Sequence, residues 1–418
     1  MKWMALMTGF RQAFAAALLV SAIAGCGGGG GGSASAPVPA PSTASPSATG
    51  PNVQPVVVDA GPTGNSANVL FTSVTVCMPG TAQCQTIDHV IVDTGSTGLR
   101  LLASELTLPL PAVIETVSAK PLLNCLQFID QTYMWGSVAT GDLYLGGPSM
   151  TGEKAANLPI QVVRDSTFLP AAPTASCALT GLTANDTVAT LGAKGILGIG
   201  NYLQDCGSTC TSNATNGYYY TSSGGTSAPT TVSLAQQLQQ PVSRFASNNN
   251  GVVISLPGVP DTGATTVSGA LIFGIGTQAN NSPGSPAVLA LNGSGYFTTA
   301  FEGSNLTRGF IDSGSNGFFF GTSRFPLCGL GWYCPVPPTA LQASNSGTNG
   351  VASLVNFTVS NALTLFSNGS FTAFSTLAGP IGDSVSFDWG LPFFYGRNVF
   401  TAIEGRSTPV GVGPYVAY

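Results

Sequence analysis

Charge is what this sequence has least of. Asp, Glu, Lys and Arg make up 7% of its 418 residues, where about a quarter is usual in soluble domains. The few cations are scattered, so no basic stripe exists to neutralise a phosphate backbone, and a nucleic-acid partner is excluded. Histidine occurs once, at His89, which leaves a Ser–His or Cys–His triad one candidate base with no nucleophile-elbow sequence beside it. His89 therefore reads as a structural residue. The cysteines include no C-x-x-C pair, and with a single histidine this argues against a zinc site. No apolar run reaches the roughly 20 residues that span a bilayer. Low charge signals disorder only when hydrophobicity is low as well, and here 44% of the residues are apolar. The chain can bury a sizeable core. Its wealth of Thr, Ser, Gly, Asn and Val favours many short strands and turns over helices.

Lys2 and Arg11 precede an apolar run over residues 13–22, and Ile23-Ala24-Gly25-Cys26 follows. A basic start, a short apolar stretch and small residues at the cut describe a secretory signal. The end of that segment resembles the lipobox of bacterial lipoproteins. The resemblance implies removal of residues 1–25 and lipidation of Cys26. Residues 26–52, rich in Gly, Ser, Ala and Pro, read as a flexible tether. Several acyl chains on one residue give stable anchoring. By similarity to Gram-negative lipoproteins, Gly27 in place of Asp implies the outer membrane, with the domain facing the periplasm or the cell surface. Eight of the nine cysteines then remain, an even number in an exported chain, and disulfides are expected. Close spacing pairs Cys77–Cys84, Cys206–Cys210 and Cys328–Cys334. Cys125–Cys177 follows only by elimination.

Strand-like apolar runs recur at residues 69–76, 89–92, 252–256, 270–273 and 357–359, punctuated by Gly, Pro and Asn. Residues 232–239, stopped by Pro241, read as a helix. Residues 211–230 and 342–350 read as surface loops. An internal repeat stands out. Val90-Ile91-Val92-Asp93-Thr94-Gly95-Ser96-Thr97-Gly98-Leu99 recurs as Gly309-Phe310-Ile311-Asp312-Ser313-Gly314-Ser315-Asn316-Gly317-Phe318, with the two aspartates 219 residues apart. The duplication fits two similar lobes, residues 53–240 and 241–418.

One Asp-hydroxyl-Gly at a strand end is weak evidence, since Asp and Gly are common turn residues. Two copies, each between apolar strands, are specific. Asp261-Thr262-Gly263 serves as a control: prolines surround it, no strand leads in, and it reads as a plain turn. In the repeated motif a strand delivers the carboxylate to a fixed place and the Gly lets the backbone turn sharply beside it. The hydroxyls of Thr94, Ser96, Ser313 and Ser315 can hold each carboxylate and the facing backbone in register. If Asp93 and Asp312 meet, the pair retains one proton over an acidic to near-neutral range. One carboxylate then activates a water while its protonated partner polarises a carbonyl. Such chemistry needs no cofactor and no metal.

The two motifs resemble those of the pepsin-like aspartic protease family. Other segments match in order. Residues 195–200 (Gly-Ile-Leu-Gly-Ile-Gly) are similar to the segment that crosses behind the first aspartate. Tyr133-Met134-Trp135-Gly136-Ser137 with Gly141-Asp142-Leu143 is similar to the flap hairpin, which puts Tyr133 at the flap tyrosine. Leu271-Ile272-Phe273-Gly274 is similar to the strand opening the second lobe, and residues 389–404 to its closing hairpin. The resemblance covers residues 53–418. It implies an all-β, bilobal pepsin-like fold with a cleft between related lobes. It also implies an aspartic endopeptidase acting as a monomer on peptide or protein substrates, touching the membrane only through its lipid. Asp93 and Asp312 would be catalytic, supported by Thr94, Gly95, Ser96, Ser313, Gly314 and Ser315. Three departures accompany it. Arg100 stands where the family usually has a Trp behind the flap tyrosine, Asp388 stands where the second crossing segment expects an apolar residue, and the flap carries an extra residue. No Lys or Arg lies between Cys26 and Asp93, so a basic prosegment is absent. A catalytically inactive scaffold acting as a cell-envelope binding protein is the alternative, because fold does not fix function.

Overall fold

The computed structural model describes residues 50–418 except 129, 148–150, 169–175, 180 and 330. The expected signal segment, Cys26 and all but the end of the tether lie outside these residues. Strands dominate the described chain, as its β-branched and aromatic runs require. In the first half they are β1 (Val53–Val58), β2 (Leu70–Cys77), β3 (Cys84–Asp93), β4 (Thr97–Leu102), β5 (Leu122–Gln127), β6 (Thr132–Leu145), β7 (Glu153–Val163), β8 (Gly195–Ile199), β9 (Tyr219–Ser223) and β10 (Thr226–Pro229). The second half contributes β11 (Gly251–Leu256), β12 (Val267–Phe273), β13 (Phe297–Phe301), β14 (Ser304–Ile311), β15 (Phe318–Phe320), β16 (Thr339–Ser346), β17 (Ala352–Val359), β18 (Ser386–Trp389), β19 (Arg397–Ala402) and β20 (Tyr415–Ala417).

Each half builds its own lobe, and one sheet runs between them. β1 pairs antiparallel with β2 on one side and with β12 on the other, Val53 opposite Ile272, so the first strand ties the halves together. β12, β11, β19 and β20 continue that sheet. The second lobe has a separate sheet in the order β17-β16-β13-β14-β18-β15. The expected two-lobed all-β architecture is the one observed.

The duplication in sequence is a duplication in topology. In the first lobe β8 lies between the strands flanking Asp93, parallel to β3 and antiparallel to β4. In the second lobe β18 lies between the strands flanking Asp312, parallel to β14 and antiparallel to β15. Both crossing strands pass so close to the turn that a side chain would not fit. A Cβ on Gly198 would meet Ser96 Oγ at 2.7 Å, and one on Gly390 would meet the Gly317 carbonyl oxygen at 2.1 Å. Backbone bonds then close each turn in the same way: Gly200 N–H donates to Ser96 O at 2.8 Å, and Leu391 N–H to Ser315 O at 2.7 Å.

The lobes differ in what fills them. Around β3, β4 and β8 the core is aliphatic, with Val90, Val92, Leu99, Leu101 and Leu197 out of solvent. The second lobe packs aromatics: Phe387 stacks on Trp389 at 4.2 Å between centroids and on Phe320 at 5.0 Å, and Phe301 meets Phe387 edge-on at 5.5 Å. All four expected disulfides are present, Cys77–Cys84, Cys125–Cys177, Cys206–Cys210 and Cys328–Cys334.

Three local expectations fail. Residues 232–239 form a turn and an extended stretch, not a helix. Leu238 N–H donates to the Tyr219 hydroxyl, Gln240 N–H to Leu203 O, and the Gln237 side chain to Gly207 O, so tertiary partners outcompete helical ones. Residues 211–230 contain the hairpin β9–β10, because Tyr219 and Tyr220 are buried on the first lobe. Residues 342–350 begin inside β16, where Asn345 is buried and accepts from Thr299 Oγ1 at 2.7 Å. The control motif Asp261-Thr262-Gly263 is a turn, closed by Gly263 N–H to Pro260 O at 2.8 Å.

Candidate active site

Asp93 is the last residue of β3, and Asp312 follows the last residue of β14. Both side chains are buried and bonded by the same pattern. Gly95 N–H donates to Asp93 Oδ1 at 3.1 Å and Ser96 Oγ to Oδ2 at 2.7 Å. Gly314 N–H donates to Asp312 Oδ1 at 2.9 Å and Ser315 Oγ to Oδ2 at 3.0 Å. The two carboxylates approach each other beside Gly314. A Cβ placed there would stand 2.5 Å from Asp93 Oδ1 and 3.2 Å from Asp312 Oδ1, so the two oxygens are no farther apart than those distances together. A side chain at position 314 would collide with the Asp93 carboxylate.

Thr94 and Ser313 lock the motifs together. Ser313 N–H donates to Thr94 Oγ1 at 3.0 Å, and Thr94 N–H donates to Ser313 Oγ at 3.0 Å. Each hydroxyl then donates across the lobe boundary to the strand that delivers the other aspartate, Thr94 to Ile311 O at 3.3 Å and Ser313 to Val92 O at 2.8 Å. All six residues expected to support the carboxylates are thus assembled around them, and the bracket fixes their spacing.

The site opens on a cavity of about 530 Å³ that takes in Thr94, Gly95, Ser96, Asp312, Leu126, Tyr218 and Tyr296 from both lobes. A family model described as "Protein of unknown function (DUF3443)" matches residues 48–418, both Asp motifs included. The chain belongs to that family. No curated protein matches it. Among solved structures, a crystal structure of basic 7S globulin from soybean is similar at 11% identity and a TM-score of 0.45, over 88% of this chain and 96% of that one.

In this DUF3443 protein one wall of the cavity is a buried polar cluster of which the sequence had singled out only Arg100. Arg100, on β4, is fully out of solvent. Its Nη1 donates to Thr97 O at 2.7 Å, and its Nη2 lies 3.6 Å from Asp205 Oδ2. Asp205 also accepts from the Tyr219 hydroxyl at 2.6 Å and from Asn124 Nδ2 at 3.1 Å. Burial pushes the Asp205 carboxyl up to about 6 despite Arg100, whose own value burial lowers. The Tyr219 hydroxyl is raised well above its ordinary value by burial and by the Asp205 charge. An Arg inside a nearly chargeless sequence signals a buried anion nearby, but nothing in the sequence selects Asp205 as that anion.

The other singled-out residues fall away from the cavity. Tyr133 lies on β6 and packs with Trp135, Leu123, Tyr220 and the Cys125–Cys177 disulfide. Strand alternation is the reason: Tyr133 and Trp135 share one face, while Met134 points to the other, opposite Leu126, and it is Leu126 that reaches the cavity. Asp388 is buried on β18, opposite Phe310 of β14 and Phe319 of β15. His89 lies at a left-handed kink in β3, with φ 50°, beside Asp59 and Asp88 and edge-on to Phe71 at 5.2 Å.

Proposed function

We propose that this protein is an aspartic-type endopeptidase in which Asp93 and Asp312 share one proton and activate a water against a peptide carbonyl. The observation that carries this reading is the close approach of the two carboxylates beside Gly314, each bound by one backbone N–H and one hydroxyl, with Asp312 and the turn after Asp93 lining a cavity. Two carboxylates this close cannot both ionise readily, so one serves as base and the other as acid. Neither role calls on a metal or a cofactor. The Arg100 charge, which could otherwise hold both aspartates ionised, lies 3.6 Å from Asp205 and is answered by it where that carboxyl is ionised, above about pH 6.

The substrate in this reading is an extended peptide or protein lying across the cavity, with apolar residues flanking the cut. The four disulfides indicate an oxidising, extracytoplasmic compartment. Among the described residues no helix is long and apolar enough to cross a membrane. We extend this to an outer-membrane lipoprotein held by lipid on Cys26 and acting as a monomer. A test is incubation of the purified protein with a denatured protein from pH 3 to pH 7, beside Asp93→Asn and Asp312→Asn. Cleavage by the wild type alone, suppressed by a statine-type peptide, supports the reading. Equal cleavage by either variant overturns it. Absence of cleavage with all three proteins folded favours the inactive binding scaffold, to which the position of Tyr133 away from the cavity lends support.

A further inference from the structure

A second cavity, of about 450 Å³, adjoins the second Asp motif at Asn316. One side comes from the segment 60–67 that leads into β2. The other comes from Trp332, Phe366, Phe371 and Phe374 of the second lobe. Its size suits a small ligand or a side chain with the backbone next to it. No Asp, Glu, Lys, Arg or His stands among its described lining residues, so an ion gains nothing there. Four aromatic rings favour a planar apolar group.

Polar side chains complete the lining, Asn65, Asn368, Ser370 and Thr372 among them, and two polar atoms stand out. Ser66 Oγ and Asn316 Oδ1 are buried, the residues being 3% and 6% exposed, and neither has a hydrogen-bond partner among the described residues. Their neighbours are satisfied. Asn68 donates to Asn316 O at 2.9 Å and to Phe374 O at 2.8 Å, and accepts from Phe374 N–H at 2.7 Å and the Tyr395 hydroxyl at 2.8 Å. Thr372 Oγ1 donates to Thr265 O at 2.8 Å. The rim is therefore already formed, and the residues that carry the two unanswered groups both line it. A buried polar atom without a partner is costly unless a ligand supplies one.

We propose that this cavity binds a neutral aromatic group bearing a hydroxyl, a phenol, with its ring among Trp332, Phe366, Phe371 and Phe374 and its hydroxyl between Asn316 and Ser66. A phenol hydroxyl both donates and accepts, so it answers the Asn316 amide in either orientation and the Ser66 hydroxyl as well. A charged aromatic acid or amine would leave its charge uncompensated. The site is independent of the proposed peptidase activity, since binding requires neither Asp93 nor Asp312.

The test is calorimetric titration of the full chain with N-acetyltyrosinamide, N-acetylphenylalaninamide and p-cresol, repeated with Asn316→Leu and Ser66→Ala. Asn316→Leu keeps the backbone carbonyl that Asn68 binds, and Ser66→Ala serves if the first variant does not fold. The tyrosine amide should bind about tenfold tighter than the phenylalanine amide, the worth of one well-made hydrogen bond. Either substitution should erase that margin. Two sources share this chemistry, a tyrosine of a polypeptide and a free small phenol. Tighter binding of the tyrosine amide than of p-cresol assigns the first, and equal binding the second. Equal affinity for the two amides, no binding of any probe, or a margin that survives both substitutions overturns the proposal.

Discussion

Asp205→Asn offers the sharpest test of how the cavity wall is built. The Asp205 carboxyl titrates at about 6 in the folded protein and near 3.8 otherwise. Its folded value is raised, so the folded state holds the proton more tightly. Stability from this group is therefore fullest below about pH 4 and declines as pH rises through 6. A shift of roughly two units corresponds to about 3 kcal/mol between the extremes. Asn mimics the protonated acid. It can accept from the Tyr219 hydroxyl, and Asn124 Oδ1, which lacks a partner among the described residues, can turn to accept from the new amide. Urea unfolding at pH 4.5, 5.5 and 7 should show the wild type losing stability relative to the variant across that range, ending up to about 3 kcal/mol below it at pH 7. Taking the difference between the two proteins removes the titration of Asp93 and Asp312. The opposing effect is the exposure of Arg100 as an unpaired buried cation, which usually costs about 3–5 kcal/mol. If the variant is less stable by that amount at pH 7, or if the difference does not change with pH, the reasoning is refuted.

Three further outcomes follow from the geometry. Thr94→Val removes the acceptor for Ser313 N–H and should cost about 1–3 kcal/mol in urea unfolding; Thr94→Ser should restore most of it. Gly314→Ala drives a methyl to within 2.5 Å of Asp93 Oδ1, so any peptidase activity should fall by about 100-fold or more, while near-UV dichroism stays native. Phe387→Ala, which removes a ring stacked on both Trp389 and Phe320, should destabilise the protein by about 3–5 kcal/mol in the same unfolding assay.

How far the sequence could be read depended on whether an interaction is local. The two Asp motifs were legible because strand, carboxylate, hydroxyl and Gly lie within ten residues of one another, and the duplication made the pairing of lobes a simple inference. The short-range disulfides were legible for the same reason. Tyr133 was placed by similarity of order, but order does not tell which face of a strand a residue occupies, and β6 turns Tyr133 away from the cavity. The Arg100–Asp205 contact joins residues 105 apart with no repeating pattern to announce it. The expected helix at 232–239 failed because Gln237, Leu238 and Gln240 find partners elsewhere in the first lobe, which local propensity cannot foresee.

The bracket between Thr94 and Ser313 also has a meaning in time. Its partners are 219 residues apart, and loop closure delays such long-range contacts during folding. A chain emerging from its N-terminus can complete the first lobe with Asp93 in place, yet the second carboxylate, Ser313 and the Gly314 spacer do not exist beside it until the second lobe has folded and docked. Half of the molecule therefore cannot perform two-carboxylate chemistry at all. If the proposed peptidase activity holds, the order of folding itself would keep a nascent chain from cleaving itself until both lobes are complete.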